Sequence, residues 1–165
     1  MSHLIALVFD DQFKAEEARD VIQRMAAEGL LEFNDTVFIK RRLDGKVTVT
    51  QDEKALSEGR NVGHVAGLIA AAATGTVPFI LAGTVAGRLV SRLRDHDITR
   101  EFVKNLRQEV EPGTSAMILL GECDPERRPG ILEHLQEFEP RILESDFPPE
   151  LEDEIESEIQ GRKAA

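Results

Sequence analysis

Apolar and polar residues alternate along this chain with two different periods, and the changes of period mark its elements. Leu4–Phe9 (LIALVF) is an unbroken apolar run, the pattern of a central strand covered on both faces. Asp10 or Asp11 is then placed to cap a helix in which Glu16 and Glu17 favour the positive N-terminal end. Ala18, Val21, Ile22 and Met25 keep helical spacing along it, and Gly29 ends it. Thr36–Arg41 (TVFIKR) and Lys46–Thr50 (KVTVT) flank Leu43-Asp44-Gly45. Asp-Gly between two strand-like runs is a hairpin signal, and Val47 and Val49 alternate strictly with Thr48 and Thr50.

Further on, Asp97 or Thr99 can cap a helix carrying Phe102, Val103, Leu106 and Val110 on one face, and Pro112-Gly113 stops it. Ser115–Gly121 (SAMILLG) is a second unbroken apolar strand. Asp124-Pro125-Glu126 predicts the start of another helix, with Ile131, Leu132, Leu135 and Phe138 apolar, and Pro140–Ser145 reads as a short fifth strand. The expected fold is α+β: a ferredoxin-like βαββ(αα hairpin)αβ series with an additional αβ and a C-terminal helix. Residues 1–147 form the domain and 148–165 an acidic tail. Leu151, Ile155 and Ile159 make only a narrow stripe there, so the tail is expected to dock lightly or to meet a partner.

The middle of the chain is organised differently. Small residues recur every four positions at Gly59, Gly63, Gly67, Ala71 and Gly75, and after Pro78 at Gly83, Gly87 and Ser91, which keeps them near one helix face. Each Gly costs a helix about 1 kcal/mol against Ala, so close backbone approach must compensate, as in small-xxx-small interfaces. Two helices are predicted, about 61–74 and 79–93, broken at 75–78. The uncharged window 65–87 matches the roughly 20 apolar residues that cross a membrane, but Pro78 interrupts it. A single crossing would also separate strands that need one another. As a hairpin, each arm of about 14 residues reaches only ~21 Å, too short to span. The hairpin is therefore buried in the chain, shared between subunits, or laid shallowly in a leaflet with Arg60, Arg88, Arg92 and Arg94 at lipid headgroups.

Charge narrows the partners. The formal net charge is −11, and it is uneven: residues 1–108 hold 15 acidic and 15 basic side chains, residues 109–165 hold 16 and 5. That balance argues against nucleic acid as a partner. Cys123 alone precludes an internal disulfide and fits a reducing, cytoplasmic setting, peripheral to the inner membrane face if the hairpin meets lipid. Leu4–Phe9 is too short, and too poor in flanking basic residues, to be a signal peptide.

Candidate chemistry is sparse. His3, His64, His96 and His134 show no paired spacing, there is no CxxC, and neither a metal nor a cofactor is expected. His64, inside the Gly-rich arm, is the candidate ligand contact. Asp10-Asp11 reads as a helix cap before a cation site. Cys123, between Glu122 and Asp124, lacks the electropositive setting of a nucleophile. Thr114-Ser115-Ala116 reads as entry into a strand. The glycines have neither of the spacings that cradle phosphate on the backbone.

Val8-Phe9-Asp10-Asp11 with Ala15-Glu16-Glu17, Glu28-Gly29-Leu30, Asp44-Gly45-Lys46, the glycines from Gly63 to Gly87, Ile98 with Phe102-Val103-Lys104, and Pro112-Gly113-Thr114-Ser115-Ala116 together resemble a prokaryotic family, domain of unknown function 1269. Its members are often labelled predicted membrane proteins, and the resemblance implies no catalytic residues. The expectation is a non-enzymatic protein that forms homo-oligomers through a Gly-zipper hairpin, with membrane-surface contact as one alternative. A small-ligand or ion-sensing domain, with a pocket between sheet and hairpin at His64, is the other.

Overall fold

The computed structural model describes residues 2–30, 32–51, 65–75, 88, 91–93, 95–122, 126–151, 153–155 and 157. Five strands form one antiparallel sheet: β1 (Ser2–Phe9), β2 (Glu32–Arg41), β3 (Val47–Gln51), β4 (Ser115–Glu122) and β5 (Arg141–Phe147), in the order β3-β2-β4-β1-β5. The helices are α1 (Lys14–Ala27), α2 (Val65–Thr74), α3 (Asp97–Glu109) and α4 (Arg128–Leu135), and residues 149–151, 153–155 and 157 are also helical. The chain is thus α+β, as its periodicities predict.

The strand order differs from the simplest assignment of βαββαβ. It is β4, not β3, that lies between β1 and β2, with Leu7 opposite Met117 on one side and Phe38 opposite Met117 on the other. The reason is legible in the residues. SAMILLG is apolar on both faces and suits a doubly covered central position, whereas the alternating KVTVT suits an edge. β3 accordingly pairs only with β2 among the described strands, and its Thr48 and Thr50 are exposed.

Both faces of the sheet are covered. On one, Leu7 and Phe9 of β1, Phe38 of β2 and Met117 and Leu119 of β4 pack against Ala18, Ile22 and Met25 of α1 and Ile131 and Leu135 of α4. On the other, Leu4, Ala6, Val8, Val37, Ile39, Ala116, Ile118 and Leu120 meet α2, α3 and the C-terminal helical residues. Every residue of α2 from Val65 to Ala73 is buried, the condition of a helix that is apolar all round. Residues 52–64, 76–87 and 89–90 lie outside the described residues, so the described part of the predicted hairpin is 65–74 of its first arm, together with 88 and 91–93, which are helical.

The end of the first arm falls where the sequence placed it. Gly75 adopts φ +78°, a left-handed conformation favouring glycine, and its N–H donates to the Ala71 carbonyl at 2.8 Å. Arg107 of α3 closes the same helix end, its guanidinium donating to the Ala72 carbonyl at 2.7 Å. A cation there satisfies an orphan carbonyl and opposes the helix dipole.

Three predicted helix starts are corrected. α1 begins after Phe13 with no side-chain cap; Asp11 instead accepts the Phe13 N–H at 2.7 Å, one turn early. α3 begins after His96, also uncapped by a side chain, with Asp97 in the first turn and Thr99 buried. α4 begins at Arg128 rather than beside Pro125, because Pro129 has no N–H and fits only a first turn. Residues 123–125, with the expected Asp124 cap, lie outside the described residues. The tail is also more integrated than its stripe implied. Leu151 is 1% exposed and Ile155 0%, both within the core that Phe147 enters from β5.

Candidate functional site

The residues singled out in the sequence are placed as follows. Gly67 and Ala71 are buried inside their own chain on α2, and Gly75 is the exposed turn after it. Arg88 is exposed, and Arg92 is exposed and paired with Glu154 at 2.5 Å. Gly59, Arg60, Gly63, His64, Gly83, Gly87 and Arg94 lie outside the described residues, so the pocket expected at His64 does too. Asp10 is ion-paired with Arg141, which also donates to Glu109 at 2.5 Å and so ties β5 to the end of α3. Those two carboxylates, Asp10 foremost, hold the guanidinium above its ordinary range against the opposing effect of burial.

Ser115 has a structural task. Its hydroxyl donates to the Asp11 carbonyl at 2.5 Å and accepts the Ala15 N–H at 3.2 Å, fixing the loop between β1 and α1. Among the described residues no group of three His, Cys, Asp or Glu could hold a metal ion, and no helix is long and apolar enough to cross a membrane.

The structure opens a cleft that the sequence did not suggest. It lies between α1, α4 and the β1–β5 side of the sheet, on the face opposite α2, and encloses about 350 Å³. Alternation along β1 places His3, Ile5 and Leu7 on this face, and Leu119 of β4 adds to the floor. Ile22 of α1 forms one wall, and Ile131, Leu132 and Leu135 of α4 the other. The rim is polar. His3 Nδ1 lies 3.0 Å from an Asp146 carboxylate oxygen, and Arg128 in the first turn of α4 pairs with Glu144 of β5. These are half-exposed pairs of the kind worth only about 0–1 kcal/mol each, so they shape the mouth more than they stabilise it.

His3, Asp146 and the adjacent Ser145 have the residue types of a nucleophilic triad, but the strand geometry separates them. Ser145 alternates in phase with Leu143 and Phe147 of β5, whose side chains join the opposite core, and lines the cleft beside Glu144 and Asp146, which alternate the other way. The Ser145 hydroxyl donates to the Asp146 backbone carbonyl at 3.0 Å. No nucleophile–base contact of the triad kind results. What the cleft offers is an apolar floor and a mouth bearing one guanidinium, one imidazole and two carboxylates, the arrangement of a binding pocket. Its floor was readable as strand and helix core positions, but not as a gap between them: that depends on how far α4 stands from α1.

Compared with known proteins, residues 56–160 match the model of a family described as protein of unknown function (DUF1269). The match covers more than half of the chain and runs from the Gly-rich middle into the acidic tail. β1, α1, β2 and β3 precede it, so the resemblance seen at Val8–Asp11 and Asp44–Lys46 falls outside the matched span. No curated protein and no solved structure matches the chain.

Proposed function

From the premise that the chain belongs to the DUF1269 family, whose description assigns no activity, we propose that it is a non-catalytic binding domain for a small, largely apolar molecule held in the α1–α4 cleft. One observation carries this reading: in a sheet packed on both faces, about 350 Å³ is left open over the aliphatic surface of Ile5, Leu7, Leu119 and Leu132. Ligand pockets start at about 300 Å³ and join an apolar wall to a few polar groups. The mouth also selects. An anionic head would face Glu144 and Asp146 and a cationic one Arg128, so a neutral hydrogen-bonding head fits best.

The test uses N-phenyl-1-naphthylamine, a neutral fluorescent probe, with 1-octanol, octanoate and octylamine as competitors. The probe should bind one-to-one and be displaced best by octanol. Leu132→Trp, which fills the cleft from its half-buried wall, should weaken binding by about tenfold, roughly 1.4 kcal/mol, at unchanged circular dichroism. Non-saturable fluorescence, or equal binding by the variant, would overturn the reading.

The unit β1-α1-β2-β4-α4-β5 is read as the ferredoxin-like part of the fold, with β3 added at the edge and residues 52–114 otherwise an insertion; support comes from β4 lying between β1 and β2 and from α1 and α4 sharing one face. Self-association through the Gly-rich middle is the second reading. What favours it is the four-residue spacing of Gly59, Gly63, Gly83 and Gly87, since Gly67 and Ala71 are already enclosed by their own chain. A membrane-peripheral location rests on exposed Arg88, because Arg92 is engaged with Glu154.

A further inference from the structure

The α1–α4 cleft is graded along its length, and the grading narrows what it can hold. His3, Ile5 and Leu7 take alternate positions on one face of β1, so they stand in line at intervals of about 6.7 Å, roughly 13 Å from first to last. Register gathers the polar groups toward one end of that line. Asp146 of β5 is directly opposite His3 and Glu144 opposite Ile5, while Leu119 of β4 flanks Ile5 on its other side. Every apolar side chain lining the cleft is a leucine or an isoleucine, a surface that suits an alkyl chain. A cavity of about 150 Å³ holds benzene, roughly six heavy atoms, so about 350 Å³ takes on the order of a dozen.

The polar end centres on His3. Its Nδ1 lies 3.0 Å from an Asp146 carboxylate oxygen. Lone pairs on both atoms would repel at that distance, so the proton belongs on Nδ1, and in the neutral ring Nε2 is left as a bare acceptor. Gly121 is the residue opposite His3 on β4, so β4 contributes no side chain beside the ring. Glu144, by contrast, is engaged by Arg128.

Resting on the reading of this cleft as a binding pocket, we propose that its ligand is an unbranched aliphatic molecule with a hydrogen-bond donor at one end, such as a primary alcohol or amide. The chain lies along β1 with its tail over Leu7 and its head donating to His3 Nε2. His3 is then the residue that sets specificity: it separates donors from ethers, esters and ketones of equal size, which offer Nε2 no proton.

Three isomers of one formula test this: 1-octanol, 4-octanol and heptyl methyl ether, compared as displacers of N-phenyl-1-naphthylamine from the whole protein at about pH 8.5, above the ordinary range of an imidazole. Hydrophobicity alone would favour the ether, which has no hydroxyl to desolvate. 1-Octanol should instead displace the probe at about fivefold lower concentration than either isomer, as for one added hydrogen bond. His3→Phe should abolish its advantage over the ether, and Glu144→Gln should preserve it. Equal displacement by the three isomers, or an advantage that survives His3→Phe or vanishes with Glu144→Gln, would overturn the proposal and leave the binding pocket standing. A probe that does not bind saturably would overturn both. The isomer comparison is made on the unaltered protein, so it decides the matter even where a variant misfolds.

Discussion

Arg107 and Arg141 show how single side chains hold this fold together across long sequence gaps. Arg107 reaches from α3 to the final carbonyls of α2, supplying the C-terminal cation that α2 lacks in its own last turn. Arg107→Ala should lower unfolding free energy by about 1 kcal/mol in urea titrations, with Arg107→Lys recovering part of it. Arg141 is raised in pKa by Asp10 and Glu109, so its sign is that of a base gaining partners. Its contribution is fully present below the unfolded-state value and fades only as pH climbs past the folded one, beyond any working alkaline range. Neither partnership could be read from the sequence, since periodicity fixes which face a residue takes and says nothing of what a long cation reaches. Gly113 is different. Its φ of +85° and a Leu43 methyl 2.9 Å from where a Cβ would stand belong to a Pro-Gly turn whose stop signal was plain in the residues.

At the level of elements, the strands were the most legible part. LIALVF, and SAMILLG after its Ser115, are unbroken apolar runs and form the interior neighbours β1 and β4, while KVTVT alternates and forms an edge. The limit was pairing order: a run that is apolar on both sides announces a central place without naming its neighbours. Helix starts are poorly marked where several capping residues lie close together, and Pro129, not the stronger Asp-Pro signal, sets the start of α4. α2 met its predicted end at Gly75, yet its role depends on surroundings. Enclosed as it is, Ala71→Leu should destabilise the protein by about 1–3 kcal/mol through overpacking, at a denaturation midpoint independent of protein concentration. A midpoint that moved with concentration would place Ala71 against a second subunit instead.

For the whole molecule, the acidic excess of the last third does not stay apart as a tail: Arg92 reaches Glu154, and Leu151 and Ile155 enter the core. The apolar cleft lies beside β5, on the face opposite α2. The sequence located its lining residues on elements but could not reveal the space, because it exists where the helices leave part of the sheet uncovered. The position of β4 has a consequence for how the chain matures. A ribosome delivers residues 1–51 first, and these supply β1 and β2 with the slot between them empty. Two unsatisfied strand edges must wait, while more than sixty further residues are made, for β4 to be threaded into the gap. Such distant pairing is slow, and the waiting state is prone to aggregate. A chain truncated at Glu111 should accordingly lack cooperative melting, and nascent protein should lean on chaperones until Glu122 has cleared the exit tunnel.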